Sequence, residues 1–238
     1  MKGRLFLLMA FSFLITQAFL KGQDLKGQDF DDILDTELFV YQDSQILYNG
    51  RIWHRTYSNI IGNEFLFSAV WFRGDVISES ETFRNRMLRY DIVSDELLIR
   101  RPDGMVIVLN RETTRGFTLN RDNTEYRFIN LGLGEERNLT GYANVLYEGK
   151  CNLLLKSVKE ITPLGYRKVF DIFTQTDKLF VMKEGTLFRL KGRKGLLDFL
   201  GDKKDELRKY MRNNNLIIMP RQPESVIPVL AYYDSLAD

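Results

Sequence analysis

Cysteine and histidine each occur once in these 238 residues, and proline only five times. The lone Cys151 excludes an internal disulfide, so stability must come from packing. The lone His54 excludes cysteine–histidine zinc sites, which draw on several such ligands, and any imidazole dyad would have to use it. His54 alternates with Trp53 in the segment 51–57 and shares a face with Ile52 and Thr56, which reads as an ordinary strand residue. Cys151 opens the apolar stretch 151–155 and reads as a buried structural thiol rather than a nucleophile. There is no Gly-x-Ser-x-Gly elbow, phosphate-binding Gly-x-x-x-x-Gly-Lys loop or dinucleotide-binding Gly-x-Gly-x-x-Gly. Gly132-Leu133-Gly134 lacks the helix that would make it more than a loop. No loop has EF-hand spacing, and the acidic stretch from Asp29 to Asp35 reads as solvated, although a carboxylate calcium site stays open. These absences leave no residue assigned a catalytic, cofactor-binding or metal-ligating role, and no cofactor is expected.

An excess of charge of one sign is also lacking. The formal charge is +2, which gives no bulk reason to expect nucleic-acid binding. The longest early apolar run, 5–15, follows Lys2 and Arg4 and leads to Thr16-Gln17-Ala18, the order of a secretory signal. It is shorter than the roughly 20 apolar residues that span a bilayer, so cleavage after Ala18 is expected rather than a permanent anchor, with a junction near Gln23 as the next choice. No Cys lies near this junction, which argues against a lipid-anchored lipoprotein. Loss of Lys2 and Arg4 with the signal would bring the formal charge to 0.

Aromatic residues are plentiful, with 17 Phe and 11 Tyr, and suit pleated, half-buried surfaces. After a signal at 1–18, residues 19–48 read as a transitional segment containing a duplicated Lys-Gly-Gln-Asp, too short a unit for a repeat array. Residues 49–191 read as an antiparallel β domain. Strands are expected at 51–57, 65–72, 86–93, 96–101, 105–110, 116–119, 125–131, 142–148, 151–158, 169–174, 178–183 and 186–190. The turn Arg101-Pro102-Asp103-Gly104 places Pro at the first central position and offers Gly for positive φ, and Glu148-Gly149 and Glu184-Gly185 look alike. Such short connections favour meanders over parallel crossovers. Leu88, Tyr90 and Ile92 share a packed face, leaving Met87, Arg89 and Asp91 for solvent. The continuously apolar 97–99 and 105–109 imply a hairpin covered on both faces, with the C-terminal helices as its expected cover.

Residues 192–238 change to helical spacing. A helix is expected over 202–212, with Asp202 as N-cap, Asn213 to Asn215 as its stop and Leu207, Tyr210 and Met211 on one side, after a short helical stretch at 195–200. A last helix over 223–236 buries Val226, Val229, Leu230, Tyr233 and Leu236, with Pro228 a source of distortion. The expected fold class is therefore α+β, mainly β: a curved antiparallel meander sheet, half-barrel or sandwich-like, with a C-terminal helical segment packed on it.

One compositional asymmetry stands out. Between Gly27 and Gly149 all thirteen basic side chains are Arg, while Lys dominates from Lys150 onward. Arg84, Arg86, Arg89, Arg100, Arg101, Arg111 and Arg115 offer planar forks for an anionic lipid headgroup or polysaccharide. With fourteen Asp and Glu from Asn49 to Gly149, cross-strand ion pairing is the competing expectation. Asn138-Leu139-Thr140 fits a glycosylation sequon, relevant only in a glycosylating host.

The segments from Arg89-Tyr90-Asp91-Ile92 to Asp95-Glu96-Leu97-Leu98, the hairpin 185–190, and the ending from Leu196-Leu197 through Lys203-Lys204 to Tyr232-Tyr233 resemble a group of uncharacterised exported β-rich proteins of Bacteroidetes. The resemblance implies an exported, periplasmic or extracellular location and brings no activity or site residues. The leading expectation is a non-catalytic envelope protein that binds a protein partner or an apolar or anionic ligand. A lipid or lipoprotein carrier-like half-barrel and a carboxylate-dependent hydrolase of envelope polysaccharide are the alternatives.

Overall fold

The computed structural model describes residues 47–132, 140–163 and 170–236. The expected signal, residues 19–46 and the sequon's Asn138 lie outside them. The chain divides into two units, Met1–Asn49 and Gly50–Asp238, and the sheet and its helical layer both belong to the second.

Among the described residues, twelve strands form one open, curved, mostly antiparallel sheet. They are β1 (Arg51–Ile52), β2 (Ile60–Ile61), β3 (Phe72–Ser78), β4 (Thr82–Asp91), β5 (Glu96–Arg100), β6 (Val106–Val108), β7 (Thr114–Arg121), β8 (Thr124–Asn130), β9 (Tyr142–Tyr147), β10 (Cys151–Thr162), β11 (Asp171–Lys183) and β12 (Thr186–Arg189). Three α-helices follow: α1 (Arg193–Phe199), α2 (Lys204–Asn213) and α3 (Ile227–Leu236). The strand order is β1-β6-β5-β4-β3-β7-β8-β9-β10-β11-β12, with β2 parallel beside β11. The meander arises from short reversals. At Asp122-Asn123 (φ 49° and 62°) and Glu184-Gly185 (φ 49° and 76°) both central residues are left-handed, the twist that suits two-residue hairpins. The turn after Arg101 closes with the Gly104 N–H donating to the Arg101 carbonyl at 3.0 Å, and Gly104 has φ 88°. The Glu148-Gly149 turn differs from its expected likeness: Gly149 has no positive φ, and a Cβ there would lie 1.8 Å from Asp234 Oδ2.

Curvature brings distant strands together. The Lys159 N–H of β10 donates to the Ile92 carbonyl at 2.9 Å, and Phe65 bridges to Asp91. The two faces of β10 then part by its period of two. Cys151 and Leu153 pack with Leu179 and Val181 of β11 against Leu196, Leu200, Leu207, Met211, Val229, Leu230 and Tyr233 of the helical layer, while Leu154 and Phe180 pack on the opposite side. On the inner face four rings meet. Phe117 stacks on Phe128 at 4.5 Å, and Tyr90 and Tyr142 stand edge-on to Phe117 at 5.3 and 5.1 Å. Each such pair adds about 0.5–1.5 kcal/mol beyond burial.

Several local expectations fail for physical reasons. The strand expected over 51–57 stops at Ile52 because its partner β6 is only three residues long. His54 is therefore an exposed residue outside any strand. Segment 65–72 contributes one bridge at Phe65, and Phe67 turns left-handed at φ 65°. The strand begins at Phe72 instead, across Arg73, Gly74 and Asp75, which read as turn residues. The face of β4 assigned to solvent is covered: Asp91 is buried, and the Arg89 guanidinium lies between the Phe65 and Trp71 rings at 4.4 and 4.1 Å. Phe65, Trp53 and Trp71 pack on Leu98 and Val108, so this segment, not the C-terminal helices, covers one face of the β5–β6 hairpin. The strands expected at 169–174 and 178–183 are one, because pairing with β10 continues through the exposed Thr176 and Asp177. Asp202 caps nothing with its side chain; it sits in a 3-10 turn, Gly201–Lys203, and α2 starts after it. The last helix opens as a 3-10 turn, Pro223–Ser225, and Pro228 falls in the first turn of α3, where its missing N–H costs little.

Candidate binding site

Among the described residues a closed polar constellation and an open one stand out. The closed one centres on Lys156, whose even position on β10 aims it at the inner, apolar face. Its side chain is 9% exposed. Lys156 Nζ donates to Asp95 Oδ1 at 2.7 Å and to the Tyr142 carbonyl at 2.8 Å, and lies 3.4 Å from the Tyr90 hydroxyl. That hydroxyl itself donates to Asp95 Oδ1 at 2.5 Å. Arg111 reaches Asp95 Oδ2 at 3.3 Å and also donates to the Asp95 carbonyl. Asp95 gets there because its backbone is left-handed (φ 59°) and because Gly141 (φ 73°) leaves room: a Cβ on Gly141 would sit 1.6 Å from Asp95 Oδ2. Burial pushes the Lys156 ammonium below its ordinary value, and Asp95 opposes that shift. With Lys156 facing a carboxylate, a carbonyl and a hydroxyl, the centre is a structural clamp and presents no free nucleophile.

The same burial sets the tyrosines. It raises Tyr90 well above its ordinary 10, with the Asp95 charge adding, and pushes Tyr142 up to about 12. Tyr147 also rises to about 12, from burial and then its bond to Asp234. A raised phenol binds its proton more tightly when folded. These groups therefore contribute stability that is complete below about pH 10 and lost as pH climbs toward 12. We expect an absorbance titration at 295 nm to leave Tyr90, Tyr142 and Tyr147 protonated past pH 11, ionising together with loss of the near-ultraviolet dichroism. A smooth titration of all eleven tyrosines near pH 10 with dichroism intact contradicts this packing.

Of the residues weighed in the sequence, Cys151 is buried, and burial foremost, then the Asp234 charge, pushes its thiol up to about 11, the opposite of an activated nucleophile. Some of the arginines are spent on carboxylates. Arg51 Nη2 donates to both Glu96 carboxylate oxygens at 2.7 Å, Arg127 is bidentate to Glu148 (2.7 and 2.9 Å), Arg115 pairs with Glu79 and Arg101 with Asp103 at 3.0 Å. Arg84 and Arg100 are exposed. Carboxylate pairing, across the sheet for Arg51, Arg115 and Arg127 and within or between turns for Arg101, Arg111 and Arg121, takes up part of the arginine-rich span, and Arg89 stacks on rings instead. Glu64 and Asp91 are both buried, and burial, with the Glu64 charge adding, raises the Asp91 carboxyl. Asp91 is nevertheless consumed by the turn, accepting from the Val93 and Ser94 N–H at 2.8 and 3.1 Å. Among the described residues no group of three His, Cys, Asp or Glu is placed to hold a metal, and no helix is long and apolar enough to cross a membrane.

The open constellation belongs to the helical layer. Arg193 at the start of α1 and Arg208, Lys209 and Arg212 of α2 line a concavity of about 500 Å³, floored by Met211 and Leu216. Asp205 is its one acidic residue and pairs with Arg208 at 3.2 Å. No family, curated protein or solved structure matches this chain. The site's chemistry must therefore be taken from its own side chains. A second concavity, of about 630 Å³, is lined by Lys150, Lys183, Lys203, Glu184, Asp202 and Tyr233. Its Lys183 is engaged by Asp202 at 3.2 Å, and Asp202 accepts from the Tyr233 hydroxyl at 3.0 Å. The signal that could have pointed to the α1–α2 concavity is a local charge excess that the sequence reading did not use: from Lys183 to Arg221 there are eleven Lys and Arg against five Asp and Glu. The near-neutral total hides it.

Proposed function

We propose that this chain is a non-catalytic exported envelope protein that binds an anionic partner through the basic concavity between α1 and α2. One observation carries the reading: four cationic side chains converge on an open, partly apolar hollow with a single carboxylate against them. Arginine forks there recognise phosphate or carboxylate oxygens in pairs. The ring cluster at Phe117, Phe128, Tyr90 and Tyr142 fills the inner face where a carrier would need a ligand cavity, so the helical layer is the better working surface. Export rests on the N-terminal pattern of Lys2, Arg4, the apolar run 5–15 and Ala18, and on the resemblance to exported proteins.

Titration calorimetry with tripolyphosphate, a soluble polyanion, tests the reading. We expect salt-sensitive binding, weakened about thirtyfold in the Arg208→Gln/Arg212→Gln double variant, since each charge-assisted contact contributes roughly 1 kcal/mol or more. No heat at low salt, or equal heat with the double variant, overturns it.

A further inference from the structure

The basic concavity has an apolar lip. Past α2 the chain ends its helix in a double-bonded reversal: the Leu216 N–H donates to the Met211 carbonyl at 2.9 Å and the Asn215 N–H to the Arg212 carbonyl at 3.4 Å, with Asn215 left-handed at φ 52°. The segment that follows, in neither helix nor strand, alternates in burial. Leu216 turns into the concavity and Ile218 is buried, while Ile217 is 70% exposed and Met219 42% exposed. Ile217 is the most exposed of the large apolar side chains among the described residues. Ile218 is buried with its two neighbours exposed on either side, just past the reversal at Asn215. Ile217 itself lines the concavity with Arg193, Arg208 and Arg212. Apolar side chains standing beside a ring of cations meet the two demands of a membrane interface, one group for the acyl boundary and the other for anionic headgroups.

We propose that this face docks on an anionic lipid surface, with Ile217 and Met219 entering the interface and Arg193, Arg208, Lys209 and Arg212 on the headgroup phosphates. The proposal rests on the anion-binding reading above and adds the bilayer as the partner. The charges fit one side only: an anionic surface engages the cations around the lip, whereas a zwitterionic surface offers them no net attraction. Asp205, exposed and paired with Arg208, is the acidic residue of the concavity and opposes docking.

Co-sedimentation of the full chain with vesicles tests it, using phosphatidylcholine alone and an equimolar mixture with phosphatidylglycerol. We expect partition only to the mixed vesicles, weakened by salt. A cation at such a surface changes partition about fivefold, so Arg208→Gln/Arg212→Gln lowers it about thirtyfold and Asp205→Asn raises it by about fivefold. Ile217→Ser lowers it about fivefold through lost apolar burial. All of these residues except the concavity floor are exposed, so circular dichroism should report unchanged folding. Tripolyphosphate binding without vesicle binding overturns the bilayer as partner and leaves the anion site standing. Vesicle binding that ignores Ile217→Ser or Asp205→Asn also overturns the docking mode. Failure to bind either probe removes both proposals.

Discussion

Asp95→Ala should destabilise this protein by about 3 kcal/mol, because it strips two cations of their partner at once. Lys156 Nζ and Arg111 Nη2 both approach the Asp95 carboxylate, at 2.7 and 3.3 Å, and the Tyr90 hydroxyl donates to it. Removing one member of a buried pair costs about 3–5 kcal/mol, since the remaining charge stays buried without compensation. The low end applies because Asp95 keeps 21% exposure, through which water reaches the cavity left behind. For a chain of this size each kcal/mol shifts the midpoint about 2–4 °C, so the expected drop in Tm is about 6–12 °C.

Backbone strain has to be separated from charge, because Asp95 is left-handed at φ 59° and alanine tolerates that poorly. Asp95→Asn is the control. Asparagine accepts the conformation and keeps the shape, so its loss of stability reports the ion pair alone. Lys156→Met should cost less than either, because Arg111 remains to neutralise Asp95 and the methionine packs on the apolar inner face. Combined with Asp95→Asn, it should recover part of the loss, giving a coupling of about 1–3 kcal/mol between the two sites. Strict additivity in the cycle, or an Asp95→Asn midpoint within about 2 °C of the parent, would show that the clamp contributes no pairing energy.

Lys156 illustrates what the sequence could and could not convey. The stretch Cys151 to Leu155 announced a buried strand, and the period of two put residue 156 on the same face as Leu154, so a charged residue facing inward was legible. Its partner was not. Asp95 lies in the turn between β4 and β5, sixty-one positions away, and only the curl of the sheet brings that turn to β10. Local patterns fared the same way elsewhere. Turns with positive φ at Gly104 and Gly185 and the burial of Val226, Val229, Leu230 and Tyr233 follow from residue type and spacing alone. Segment 65–72 did not, because apolar content suits a covering loop as well as a strand. The end of β4 beyond Leu88, which β3 does not reach, does pair with this segment, through the Phe65–Asp91 bridge and the Leu66 N–H to the Tyr90 carbonyl, but the left-handed turn at Phe67 ends the pairing there. The basic concavity was hidden for another reason. The conspicuous arginines are those of 51–127, some of which pair with carboxylates across the sheet or in turns, whereas the cations of the concavity sit on consecutive helical elements and come together only when α1 and α2 pack.

The position of those helices depends on one carboxylate near the end of the chain, and Asp234→Ala should free α3 selectively. A carboxylate in the last turn of a helix is electrostatically unfavourable, because the carbonyl end of the dipole is negative. Asp234 offsets this through contacts with the sheet: Oδ2 accepts from the Tyr147 hydroxyl at 2.8 Å and the Lys150 N–H at 3.1 Å, and Oδ1 from the Cys151 N–H at 3.3 Å. Hydrogen bonds to a charged group contribute about 1.5–3 kcal/mol. Losing the set should therefore raise the opening equilibrium of α3 by about thirtyfold, corresponding to roughly 2 kcal/mol. Hydrogen exchange should quicken across Ile227–Leu236 and remain unchanged in β4, β7 and β8, whose rings pack on the far face of the sheet. The effect should reach α2 in part, because Tyr232 stacks on Tyr210 at 3.8 Å. Tyr147→Phe removes only one of the three contacts and should move exchange in the same direction by less. If the helix exchanges at the parental rate in Asp234→Ala, apolar packing of Val229, Leu230 and Tyr233 holds it unaided. If it opens, the basic face of α2 loses its footing, and binding of tripolyphosphate should weaken although no residue of the concavity has been touched.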